Sequence, residues 1–159
     1  GGRYEEQIVR LISGYCAQIA SAELMQLRHV GNLATTPEDY YEIISGKTAG
    51  PFAAGCTAAA LVAGSSPELA DILGQFGLEL GLAFQIVDDL LDLEGDERMG
   101  KPRGTDVIEG KMTLPLIHSL TLSHGDDRRR LADVISGFHD GLWDELTELL
   151  IFISPRVID

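Results

Sequence analysis

The stretch from Ser66 to Glu94 constrains the fold more than any other part of the sequence, because it is long and has the pattern of one continuous helix. Ser66 followed by Pro67 is a typical helix start, since a serine side chain can accept a bond from the first-turn N–H groups and proline fits the first helical position. Apolar residues then surround almost the whole C-terminal half of the stretch, which predicts a helix buried among others.

The remaining sequence supplies further helices and no convincing strand. Helical periodicity covers Arg3–Leu27, while Thr36 caps and Pro37 opens a second helix that is predicted to end at Gly46. An alanine-rich helix runs to about Gly64. Two or three more helices are predicted within residues 113–124 and 126–153. No repeat or low-complexity linker divides the chain, so we predict one all-α domain over residues 1–159.

The charge balance restricts the partners. The 159 residues contain 12 Lys and Arg against 25 Asp and Glu, a formal net charge of −13, which argues against binding to nucleic acid or to an anionic membrane surface. An acidic protein that handles an anionic ligand needs divalent cations between the two.

Cysteine usage and hydropathy bear on the compartment. Cys16 and Cys56 form no metal-ligand spacing and lie among apolar helix residues, which predicts reduced core thiols in a cytoplasmic protein. No export signal opens the sequence, and residues 48–67 are too weakly apolar for a membrane span. We therefore expect no transmembrane segment.

The C-terminal end of the long helix carries acidic side chains, although the helix dipole opposes carboxylates there. At 100° per residue, four polar side chains fall on one face, within an arc of roughly 100°. They are Gln85, Asp88, Asp89 and Asp92. Carboxylates in an internal cleft need positive partners, and a set of oxygen ligands without His or Cys favours a hard cation, with Mg²⁺ as the best fit. The alternative is a solvated acidic helix end.

Two neighbouring features favour the metal interpretation. Residues 95–111 lack a helical period and are rich in glycine and charge, which is typical of a functional lid. Lys47 stands alone in uncharged sequence, between Gly46 and the helix-disturbing pair Gly50-Pro51. It is either a surface lysine whose stem lies on apolar residues or a cation that meets a phosphate.

Taken together, these segments resemble a known family. "KTAG" from Lys47, "GLAFQIVDDLLD" at residues 81–92, "GKPRGTD" at 100–106 and "EGKMTLPL" at 109–116 are similar, in order and spacing, to the C-terminal half of the trans-isoprenyl diphosphate synthases. "AELMQL" at 22–27 resembles a further family segment, with Ala in place of Gly. The resemblance implies an isoprenoid synthase-type helical bundle, of which this chain holds the C-terminal part.

The resemblance also implies a chemistry and roles for single residues. The family joins isopentenyl diphosphate to an allylic diphosphate, and "GKMTLPL" resembles the medium- and long-chain enzymes. Asp88 would bind Mg²⁺ directly, and Asp89 and Asp92 would bind it directly or through water. The residues that would contact the allylic diphosphate are Lys47, Lys101 and Lys111. Those that would border the reacting end, beside the developing allylic cation, are Thr48 and Gln85, with Lys47 next to them. The family is generally dimeric, so a homodimer is expected.

Half of the expected metal site is absent from the sequence. The family has two Asp-rich motifs, and these 159 residues contain only the second. We therefore predict that this chain alone does not catalyse prenyl transfer. Three alternatives stay open: a non-catalytic partner subunit of a heteromeric synthase, a terpene synthase of the same fold, and a helical bundle with an acidic face.

Overall fold

A computed structural model describes residues 5–94 and 103–150. Within these two ranges every regular element is helical and no strand occurs, which confirms the all-α prediction. The described residues form eight α-helices in chain order: α1 Glu5–His29, α2 Pro37–Ile44, α3 Gly50–Val62, α4 Pro67–Glu94, α5 Thr105–Ile108, α6 Leu114–Leu122, α7 Gly125–Ser136 and α8 Trp143–Leu149.

The chain divides into two compact units. The first comprises residues 1–27 and 41–87, and the second comprises residues 28–40 and 88–159. The first unit holds most of α1, α3 and most of α4, whereas the second holds the acidic end of α4 and helices α5 to α8. That residues 1–159 form a single domain stays a prediction.

Helix α2 does not end at Gly46, so that prediction was wrong. A π-helical turn, Ser45–Ala49, joins α2 directly to α3, and the Gly50 N–H donates to the carbonyl of Ser45. Pro51 gives the physical reason: proline lacks an N–H and its ring clashes with the carbonyl four residues before it, here that of Lys47, in a regular α-helix. One wider turn accommodates the proline without a break, and such turns are frequent at functional sites.

The start of α2 confirms the predicted cap. The Thr36 hydroxyl accepts a bond from the Asp39 N–H at 3.1 Å, and the Asp39 carboxylate accepts bonds from the Thr36 N–H and hydroxyl, both at 2.9 Å. This reciprocal arrangement is a capping box. The hydrogen bonds from the Thr36 backbone and side chain lower the pKa of Asp39.

Helix α1 packs closely on the π turn of the first unit. A Cβ on Gly46 would lie 2.8 Å from that of Ala22, and one on Gly50 would lie 2.8 Å from the ring of Tyr15, so glycine allows this approach. Cys16 points away from this contact and is exposed. Its predicted place in the core was therefore wrong.

Helix α4 packs through its small residues. Its buried positions in the first unit are Ala70, Gly74, Gly77 and Gly81. Large apolar side chains lie on other faces and are exposed in the described structure: Leu69, Ile72, Phe76, Leu80, Phe84 and Val87. The prediction that α4 is buried nearly all round was wrong, because α4 approaches α3 mainly through glycines, with Leu73 and Phe84 as its larger contacts, and leaves its other faces exposed.

The exposed apolar face of α4 raises the question whether this helix could cross a membrane. Among the described helices, α4 alone is long and apolar enough to cross a membrane, by length and composition only. Core helices of water-soluble proteins and signal sequences meet the same criteria, so the property is weak evidence.

Candidate functional site

In the first unit, Lys47 lies on the π turn and is paired with α1. Its Nζ lies 3.1 Å from Oε1 of Glu23 and donates to Oε1 of Gln26 at 3.0 Å. About a third of the Lys47 side chain, 34%, is exposed. The Lys47 ammonium is therefore held by a carboxylate and an amide while part of its side chain still faces solvent.

The structure places Thr48 and Gln85, two of the predicted site residues, in direct contact. The Thr48 hydroxyl donates to Oε1 of Gln85 at 2.7 Å. The contact depends on Gly81, one turn earlier in α4, because a Cβ there would lie 2.5 Å from the Cα of Ala49. Gln85 makes further interactions as well. The hydrogen bond thus joins the π turn to α4.

In the second unit, Asp92 caps helix α5. Its Oδ1 accepts from the Thr105 N–H at 3.2 Å and its Oδ2 accepts from the Asp106 N–H at 3.1 Å. Gly104 stands at the N-cap position and has no side chain to serve these N–H groups, so a carboxylate from α4 replaces the local cap. Because α5 forms within residues 95–111, the prediction that this whole segment lacks helix was wrong.

Arg103 and Gly104 satisfy the carbonyl groups at the acidic end of α4. The Arg103 Nε donates to the Leu93 carbonyl at 3.2 Å, and the Gly104 N–H donates to the Asp92 carbonyl at 2.9 Å. The Arg103 guanidinium also lies 4.4 Å from the centre of the Trp143 ring. A cation at a helix C-terminus is favourable, and this one offsets the acidic side chains that the dipole opposes. Sequence reasoning missed this role of Arg103.

Lys111 is tied to the same cluster through Asp106. Its Nζ lies 2.7 Å from a carboxylate oxygen of Asp106 and 2.7 Å from one of Glu109. Burial opposes the charge of Lys111, but the hydrogen bonds to the two acids outweigh it and raise the pKa of Lys111. For Asp92, burial is the largest influence and raises the pKa; the bonds from the Asp106 and Thr105 N–H groups oppose it.

Asp89 is held by a residue that sequence reasoning did not single out. The Tyr40 hydroxyl donates to Oδ2 of Asp89 at 2.6 Å, and both residues are buried, with 4% of each exposed. The two lie 49 positions apart, so no local pattern could have linked them. Asp88 is half-buried, and Lys101 lies outside the described residues.

The donor chemistry at the end of α4 fits Mg²⁺. Within residues 5–94 and 103–150, no group of three or more His, Cys, Asp or Glu side chains is arranged to hold a metal. Mg²⁺ seldom uses such a cage, because it keeps several waters and binds one or two carboxylates together with substrate phosphates. Asp88 and Asp92, one turn apart on α4, can supply those carboxylates.

The fold and this cluster define an all-helical protein with carboxylates, a lysine and an arginine around a helix end. Residues 3–149 match the model of the family described as polyprenyl synthetase, and the chain belongs to that family. The short chain isoprenyl diphosphate synthase of Methanothermobacter thermautotrophicus is 35% identical over 91% of this chain and 45% of its own length. The octaprenyl diphosphate synthase of Escherichia coli is 40% identical over 72% of this chain and 36% of its own.

Solved structures agree with the family assignment. The Caulobacter crescentus polyprenyl synthase, complexed with calcium and isoprenyl diphosphate, is 34% identical, with a TM-score of 0.85 over 92% of this chain and 46% of that one. This confirms the isoprenoid synthase-type helical fold. The chain spans less than half the length of these relatives.

Proposed function

We propose that this chain carries part of the active site of a Mg²⁺-dependent prenyltransferase, which condenses isopentenyl diphosphate with an allylic diphosphate to a medium- or long-chain trans-polyprenyl diphosphate. The observation that carries the proposal is the cluster in which Asp92 binds the N–H groups of α5 while Asp106 holds Lys111. It joins carboxylates, which suit a hard cation, to a lysine that suits a phosphate. Membership of the polyprenyl synthetase family supports the reaction class.

Each residue has a proposed role in this reaction. Asp88 binds Mg²⁺ directly, and Asp89 and Asp92 bind it directly or through water. The side chains proposed to contact the allylic diphosphate are those of Lys47, Lys101 and Lys111. Bound Mg²⁺ supplies positive charge that stabilises the departing diphosphate.

The proposed reaction involves no oxidation or reduction. The allylic C–O bond breaks and its electron pair leaves with the diphosphate. The double bond of isopentenyl diphosphate then forms the new C–C bond, and a proton is lost to the product diphosphate as base. Thr48 and Gln85 border the developing cation, where oxygen dipoles stabilise positive charge. Phe84 and Val87, apolar residues of α4, are proposed to keep water from the cation.

The proposed function also suggests where the protein is located and how its chains assemble. We expect a cytoplasmic protein without a membrane span, acting as a homodimer on the two diphosphate substrates. A second candidate is a partner subunit of a heteromeric synthase, favoured by the apolar face of α4 that is exposed in the described residues.

Mg²⁺ and inorganic pyrophosphate together should raise the melting temperature, whereas either alone should raise it little. At about one hundred times the dissociation constant, binding stabilises a protein by about 2.7 kcal/mol. Asp88→Ala should abolish the shift, because the carboxylate proposed to bind the metal is gone. Glu94→Ala is the control: Glu94 is the exposed last residue of α4, and its loss should leave the shift intact. A wild-type protein that is not stabilised by the pair would refute the proposed diphosphate–metal site.

The purified 159-residue chain should show no prenyl transfer above background with Mg²⁺, isopentenyl diphosphate and farnesyl diphosphate. The physical reason is that one Asp-rich motif can hold only part of the metal charge needed at the leaving diphosphate. Radiolabelled isopentenyl diphosphate and product extraction would measure the activity, with the full-length Escherichia coli octaprenyl diphosphate synthase as positive control. Robust turnover by this chain alone would contradict the prediction.

A further inference from the structure

Residues 28–40, here called the bracing segment, contact both parts of the proposed site within the second unit. At its end, the Tyr40 hydroxyl donates to Asp89 at 2.6 Å. Near its start, the Gly31 N–H donates to the Gly110 carbonyl at 2.8 Å, and Gly110 immediately precedes Lys111. One segment therefore meets the acidic end of α4 and the residue next to the lysine.

The bracing segment is itself held by internal hydrogen bonds. The Thr35 side chain, 6% exposed, donates to the Asn32 carbonyl at 2.7 Å, and its hydroxyl lies 3.0 Å from Nδ1 of His29. The capping box of Thr36 and Asp39 then fixes the first turn of α2, on which Tyr40 lies. The position of the Tyr40 ring is thus determined by several contacts and not by one flexible side chain.

The bond between Tyr40 and Asp89 is short. Its O–H···O separation of 2.6 Å lies at the short end of the normal range for such bonds, and both partners are buried. A buried carboxylate without such donors would carry a large desolvation cost. Asp92 lies three residues after Asp89 and so shares its face of α4. A bond that fixes Asp89 therefore also fixes the rotation of the turn that presents Asp92.

We propose that Tyr40 is a positioning residue of the diphosphate–metal site, whose phenol holds the Asp89 carboxylate and thereby orients the acidic turn of α4. The inference rests on the proposed function. Tyr40 touches neither metal nor diphosphate; it acts through Asp89. Loss of the hydroxyl should weaken binding of Mg²⁺ and pyrophosphate, because the turn no longer presents its carboxylates in one fixed orientation.

The test compares Tyr40→Phe with Tyr41→Phe. Both remove a single hydroxyl from neighbouring residues of α2, but Tyr41 is 41% exposed. Titration of the melting temperature with Mg²⁺ and inorganic pyrophosphate should show binding about tenfold weaker in Tyr40→Phe and unchanged in Tyr41→Phe. A purely structural role would lower the melting temperature without ligand and leave the ligand affinity the same, which would overturn the proposal.

A second measurement needs no ligand. Amide hydrogen exchange in Tyr40→Phe should accelerate at residues 88–94 and stay unchanged at residues 67–80 of the same helix. In an Asp89→Asn background, Tyr40→Phe should cause no further loss of affinity, because its partner carboxylate is already gone. If wild-type protein does not bind Mg²⁺ and pyrophosphate, the proposed function fails. Exchange then still decides whether Tyr40 orders the acidic turn of α4: local acceleration shows that it does, and unchanged exchange overturns that part of the proposal.

Discussion

Gly104→Ala should destabilise the protein by about 2–5 kcal/mol, the sum of a conformational and a steric cost. Gly104 has a φ of +69°, in the left-handed region that costs other residues about 1–2 kcal/mol. A Cβ there would also overlap Cζ3 of the Trp143 ring and lie 2.9 Å from its Cη2. That ring is the surface on which Arg103 lies, so the substitution displaces the cation at the end of α4 as well.

Gly125→Ala is the control that separates the conformational cost of a positive φ from the steric cost of a clash. Gly125 has a φ of +57°, and a Cβ at that position would meet nothing within 4 Å. Urea unfolding should therefore give a loss of about 1–2 kcal/mol for Gly125→Ala and a clearly larger loss for Gly104→Ala. Equal losses would show that the Trp143 ring moves aside at no cost, contrary to its close approach to Gly104.

Gly104→Ala should also weaken the diphosphate–metal site. The Gly104 N–H binds the Asp92 carbonyl, and the next two N–H groups bind the Asp92 carboxylate. A displaced Gly104 would withdraw these donors together. The stabilisation by Mg²⁺ and pyrophosphate should fall in Gly104→Ala and persist in Gly125→Ala.

Local sequence patterns predicted what depends on neighbouring residues. Three predicted features depend only on residues that are close in sequence, and the structure has all of them. They are the Thr36 cap, the start of α2 at Pro37 and the long helix that ends at Glu94. The resemblance implied that Thr48 and Gln85 border the reacting end, but their hydrogen bond to each other was not predicted, because the two lie 37 positions apart.

The features that escaped prediction depend on tertiary contacts. Asp92 caps α5 from 13 positions away, so no pattern within residues 104–108 identifies the capping residue. Tyr40 and Asp89 meet only after folding. Burial of α4 nearly all round was predicted because hydropathy weights large side chains, whereas the close contact with α3 runs through glycines. Gly81 is one position at which this contact can be tested.

Gly81→Ala should destabilise the first unit, although glycine to alanine within a helix normally stabilises by up to about 1 kcal/mol. A Cβ on Gly81 would lie 2.5 Å from the Cα of Ala49, and backbone cannot move aside as a flexible side chain can. Forced separation of packed elements costs about 1–3 kcal/mol. Gly55→Ala on α3 is the matched control, since a Cβ there meets nothing within 4 Å, and it should stabilise the protein.

The opposite signs make this pair of variants a test of the contact between α3 and α4, measured by urea unfolding. Separation of the helices should also break the bond from Thr48 to Gln85, because Thr48 precedes Ala49 and Gln85 lies one turn after Gly81. Thr48→Val should therefore cost about 1 kcal/mol in wild-type protein and little in Gly81→Ala. If Gly81→Ala stabilises as Gly55→Ala does, the helices are not in close contact, and Thr48 and Gln85 lose the packing that holds them together.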